Sequence, residues 1–149
     1  MWAGPEFLSI FSKMKERLRQ MSGAAEHVEV SRRGGWHLAR EGAVLVLSRR
    51  LPARFDLSAS TVLPLSGRVV GRARLAHQLR QDVWRCLRDL RGFWPVVRIE
   101  RREDALRVTV GGAVEGARPP VALAEARLAD LLADPAKRAR WLRHAGGSA

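Results

Sequence analysis

Arginines interleaved with aromatic rings are the residues here whose type and spacing suit chemistry with an anion. They concentrate in RARLAHQLRQDVWRCLRDLR, residues 72–91. At about 100° per residue, Leu75, Ala76, Leu79, Val83, Cys86, Leu87 and Leu90 fall in one apolar arc of about 120°. The opposite arc holds Arg74, Arg80, Arg85, Arg88 and Arg91, with His77, Gln81 and Trp84 among them. Asp82 and Asp89 sit at one border of the apolar stripe, each within helical reach of Arg85. A guanidinium offers phosphate a planar fork of donors, and an exposed indole can stack on an unpaired base. A second basic strip, Lys137, Arg138, Arg140 and Arg143 beside Trp141, lies in AKRARWLRHA near the end of the chain. If the two helices pack side by side, both strips line one groove. The candidate anion-binding residues are therefore Arg74, His77, Arg80, Trp84, Arg85, Arg88, Arg91, Arg138, Arg140, Trp141 and Arg143.

Other chemistries lack their residues. The four histidines, His27, His37, His77 and His144, have no metal-ligand spacing with one another or with Cys86, so no metal site is expected. Neither GxGxxG nor GxxxxGK[ST] occurs, and no cofactor is expected. No GxSxG and no paired-carboxylate motif is present, so the reading is of a non-enzymatic protein. The single cysteine cannot form an internal disulfide and lies mid-stripe, which suits a buried thiol in a reducing compartment. The longest unbroken apolar run, Ala43 to Leu47, falls far short of the ~18 residues of a membrane span. The first thirty residues show no secretory signal, and a cytoplasmic protein of bacterial type is expected.

Charge points the same way as the motifs. The 149 residues carry a formal charge of +12, from 27 basic and 15 acidic groups. Only Lys13, Lys15 and Lys137 are lysines, leaving 24 arginines. Many Arg, Ala, Gly and Leu with few Lys also fit GC-rich codon usage, a reading that stands beside phosphate chemistry for the choice of arginine over lysine but does not explain the excess of base over acid. That excess is segregated: Ser66 to Arg91 is net +5 and Asp134 to Ala149 net +3, while Gly111 to Ala133 is net −1. Segregated charge steers anionic partners.

The elements that must position these residues follow from periodicity. Glu6 to Met21 reads as an amphipathic helix with Phe7, Leu8, Phe11, Met14 and Leu18 on its apolar side. His27–Arg32, Trp36–Ala39 and Ala43–Arg49 alternate as three short strands joined by Gly34-Gly35 and Glu41-Gly42 turns. Residues 54–57 and 61–63 read as one or two weak strands between Pro52 and Pro64. The central helix then runs to a stop at Gly92, followed by a hairpin of FWPVVRIER and ALRVTVGG. Gly111-Gly112 reads as the start of a loop, and Pro119-Pro120 introduces an Ala- and Leu-rich helix. Asp134-Pro135 caps and opens a final short helix whose packing side is Trp141, Leu142 and Ala145.

The order α-βββ-(β)-α-ββ-α-α predicts an α+β fold. It is a single domain whose antiparallel sheet, a three-stranded meander plus a later hairpin, packs helices on one face. Residues 1–22 form an N-terminal arm and 23–149 the domain. At the level of topology only, the order resembles the small secretion chaperones built as α-βββ-α-ββ-α, a likeness that licenses no function.

Two functional readings come out of these residues. In the first, a basic module binds the phosphate backbone of DNA or RNA without sequence selectivity, through the arginine-rich helix face. In the second, an adaptor, chaperone or small assembly subunit meets an acidic protein partner, docking through Phe7, Leu8, Phe11, Met14 and Leu18 and through its Trp/Arg surface. A homo-oligomer is compatible with either.

Overall fold

The computed structural model describes residues 28–116 and 119–146. The N-terminal arm, with Phe7, Leu8, Phe11, Met14 and Leu18, lies outside the described residues. Among the described residues, six strands and three helices follow one another as β1 (Glu29–Arg33), β2 (Trp36–Glu41), β3 (Val44–Ser48), β4 (Leu57–Pro64), α1 (Arg72–Leu87), β5 (Phe93–Arg101), β6 (Ala105–Val114), α2 (Val121–Ala133) and α3 (Pro135–Ala145). This is the expected single-domain α+β arrangement.

All six strands join one antiparallel sheet in the order β1-β2-β3-β5-β6-β4. The meander and the hairpin are stitched together by β3 and β5, with Leu45 opposite Ile99 and Leu47 opposite Val97. Strand alternation places Leu45, Leu47, Val97, Ile99, Leu106, Val108 and Val110 on one face. There they share a core with Leu75, Leu79, Val83 and Leu87 of α1 and with Leu128 and Leu132 of α2. The spacing of these helix residues, three or four apart, is the apolar stripe read from the sequence. On the opposite face Val44, Val46 and Val96 pack with Phe55 from the β3–β4 connection.

The third helix rests mainly on the other helices and drives Trp141, fully buried, into the main core. Its start is fixed by Asp134, whose carboxylate accepts from the Ala136 and Lys137 amides at 2.9 and 3.2 Å. Its end is tied to the start of α1, where the Gly71 amide donates to the Ala145 carbonyl at 2.9 Å.

Three expectations change. In place of the weak segments 54–57 and 61–63 stands one eight-residue strand, Leu57–Pro64, at the far edge of the sheet beside β6, with residues 54–56 left in the connection before it. Pro64 is tolerated because it closes an edge strand. Gly111 and Gly112 do not open a loop; they belong to β6, with φ of 152° and 155°. A Cβ would lie 2.1 Å from the Leu57 carbonyl oxygen at Gly111 and 1.9 Å from that of Trp94 at Gly112. Neighbouring backbones approach too closely there for any other residue. Finally, α1 stops at Leu87, and Arg88 to Gly92 forms a turn in which the Leu90 amide bonds the Leu87 carbonyl at 2.9 Å.

Candidate functional site

At one end of the sheet β2 begins, β3 ends and β5 begins, and the C-terminal half of α1 passes over them. A cleft of about 700 Å³ opens between these elements. Its walls are the indoles of Trp36, Trp84 and Trp94 and the guanidiniums of Arg49, Arg80 and Arg85, with Gln81 among them. Leu90, Phe93 and Pro95 complete an apolar floor, and none of the described lining residues is acidic.

The aromatic and cationic groups are ordered against one another. Trp36, the first residue of β2, is buried, and the guanidiniums of Arg49 and Arg80 lie 5.5 and 4.5 Å from its ring centre. Trp94 is covered by Arg50 at 3.7 Å, and Arg50 in turn pairs with Glu115 at the exit of β6. Trp84 projects from α1 with 47 % of its surface exposed, as the helical arc requires. Arg85, in the last turn of α1 where a cation complements the helix dipole, contacts the Asp82 carboxylate at 3.4 Å.

Positive charge is crowded at this point. Arg80 is held below the ordinary arginine value by burial and then by the nearby charge of Arg49. Its Nε donates to His77 Nδ1 at 3.1 Å, so that nitrogen accepts and the ring is neutral. Burial, Arg80 and Arg33 together hold His77 below its ordinary value. Neither Arg49 nor Arg80 pairs with a carboxylate among the described residues. Together the groups form a cation-lined, aromatic-walled recess suited to an anion that also carries a flat ring.

The structure sorts the residues expected from sequence. Arg80, Trp84 and Arg85 line the cleft, and His77 supports Arg80. Arg74, Arg88 and Arg91 are exposed but do not line it. The second strip does not join it. Trp141 is buried, with its Nε1 donating to the Asp82 carboxylate at 2.7 Å, so it offers no face to a ligand. Arg140 is spent on the same carboxylate. Arg138 donates to the Thr61 hydroxyl and the Leu132 and Val62 carbonyls, at the β4 edge, four strands from β2 in the sheet order. Arg143 is exposed on α3. The two basic helices do pack together, and a second recess of about 560 Å³ gathers Arg85 with Lys137 and Arg140. Asp82, Asp130 and Asp134 line it as well, whereas the cleft between α1 and the sheet has no acidic residue in its described lining.

Asp89, expected within reach of Arg85, pairs instead with Arg127 of α2 at 3.1 Å. Cys86 is half-buried, and burial pushes its thiol above the ordinary value. Among the described residues no group of three or more His, Cys, Asp or Glu side chains is placed to hold a metal. No described helix is long and apolar enough to cross a membrane.

Sequence reasoning missed Trp36, Arg49 and Trp94 as site residues. Their convergence depends on the β2–β3–β5 pairing, which local periodicity does not reveal. Comparison with protein-family models, with curated proteins and with solved structures finds no match to the chain.

Proposed function

We propose that this domain is a binding module for nucleic acid, gripping the phosphate backbone through the arginines of the α1–sheet cleft. The observation that carries the reading is the cleft itself: three guanidiniums and three indoles around about 700 Å³, with no acidic residue in the described lining. Arg85 is shared with Asp82, but the forked donors of Arg49 and Arg80 have no carboxylate partner among the described residues and suit phosphate. Arg74, Arg88 and Arg91, exposed along the same side of α1 and the turn after it, extend the positive field. The grip is electrostatic and positional, so it is indifferent to sequence.

The test is the salt dependence of oligonucleotide binding by the full chain and by Arg49→Gln/Arg80→Gln. Counterion release sets the log–log slope at about 0.7 to 0.9 per phosphate neutralised. The double variant is expected to bind more weakly, with a slope shallower by about 1.4 to 1.8. An Arg107→Gln/Arg143→Gln control, altering exposed positions outside the cleft lining, keeps most of the affinity. A cleft variant with the wild-type slope would sink the proposal.

A further inference from the structure

Trp84 distinguishes this cleft from a simple phosphate cradle. Of its three indoles, Trp36 carries two guanidiniums and Trp94 carries one. Among the described residues no guanidinium lies over Trp84, although nearly half of its surface is open. A large apolar ring kept uncovered at the mouth of a cationic recess leaves a π face for something else. Arg80 and Arg85 stand on the same helix, one turn before and one residue after it, and Arg49 faces them from the end of β3.

Resting on the nucleic-acid reading, we propose that the cleft takes an unpaired base of a single strand, stacked on Trp84, with flanking phosphates on Arg49, Arg80 and Arg85. A base inside a duplex has both faces stacked already and would have to break its pairing and flip out to reach the indole. Single strands are therefore bound in preference to duplexes. Every base has a π face, so the preference is for strandedness and not for sequence. The cleft volume of about 700 Å³ falls within the roughly 300–1,000 Å³ of sites that enclose small planar ligands. Gln81, on the same wall, supplies an amide that can donate to or accept from the edge of any base.

The experiment titrates the full chain, at low salt, with three probes of about 12 nucleotides: an oligothymidylate, a duplex of equal length and an abasic deoxyribose-phosphate strand. Quenching of tryptophan emission and fluorescence anisotropy of the labelled probe report binding. The oligothymidylate is expected to bind about tenfold more tightly than the abasic strand, the size of one base–indole stack. Trp84→Ala should erase that advantage while leaving duplex and abasic affinities unchanged. Trp84→Phe, which keeps a ring, should retain most of it, and far-UV circular dichroism checks that both variants fold. Equal binding of all three probes, unaltered in Trp84→Ala, overturns base stacking and leaves the backbone reading standing. Failure of all three to bind, or polyglutamate competing as well as the oligonucleotide, overturns both and reassigns the cleft to an acidic protein.

Discussion

Asp82 and His77 sit on opposite borders of the same helix and fix its two flanks by different means. Asp82 is buried in the apolar stripe, where one carboxylate takes donors from Trp141, Arg140 and Arg85. A buried carboxylate is tolerated only when its lone pairs are met in this way. His77 does the reverse: it stays neutral so that Nδ1 can accept from Arg80 and hold that guanidinium toward Trp36. Its pKa is lowered in the fold, below the ordinary value of 6.5. As pH falls, the unfolded chain therefore takes up this proton first. The stability contributed by the neutral ring is complete above the unfolded value and is lost as pH drops through it toward the folded one. The urea midpoint of the wild type should decline between about pH 7 and about pH 5 more steeply than that of His77→Gln. Parallel declines would show that His77 does not hold Arg80 as described.

At the scale of elements, the position of β4 decides how the sheet is built. The chain crosses from β3 to the far edge before α1, and β5 and β6 then fill the gap between. That filling brings the backbones of β4, β5 and β6 together at Gly111 and Gly112. Gly112→Ala would drive a Cβ against the Trp94 carbonyl, at the strand that supplies part of the cleft. We expect it to cost about 3 kcal/mol in urea denaturation, whereas Gly42→Ala, with open space around its Cβ, should cost less. Equal costs would contradict the close approach. The edge itself is covered: Glu125 accepts from the Ser58 amide at 2.8 Å and Arg138 donates to the Val62 carbonyl at 2.8 Å. Those bonds blunt an edge that another chain could otherwise extend. They also remove Arg138 from any ligand-binding role.

Among the described residues, local periodicity made the three helices, the meander and the second hairpin readable. Each rests on spacing within about twenty residues, and tertiary packing agrees with it. Two features depended on distance along the chain. Asp82 meets Trp141 across 59 positions, so a tryptophan within a basic run read as surface when it is core. Trp36 and Arg49 reach Trp84 only through pairing of β2, β3 and β5, and only the helical half of the cleft was legible. Residue type still located that half, because an amphipathic arc fixes which side chains face outward.

Across the whole molecule, the basic residues divide by what neutralises them. Around α2 and α3, Arg127, Lys137, Arg138 and Arg140 are tied to carboxylates or carbonyls of the fold. Around the α1–sheet cleft, Arg49 and Arg80 have ring faces and a neutral imidazole instead of carboxylates. The net charge of +12 thus includes basic groups held by the fold and others with no carboxylate partner among the described residues, and two of the latter, Arg49 and Arg80, meet at the cleft. The most direct measurement is an NMR titration that follows the indole Nε1–H resonances as a single-stranded oligonucleotide is added. Trp36, Trp84 and Trp94 should shift together and saturate, while Trp141, bonded to Asp82 in the core, stays in place and serves as the internal reference. Saturable binding that leaves the three cleft indoles unmoved would contradict the assignment of the cleft as the nucleic-acid site.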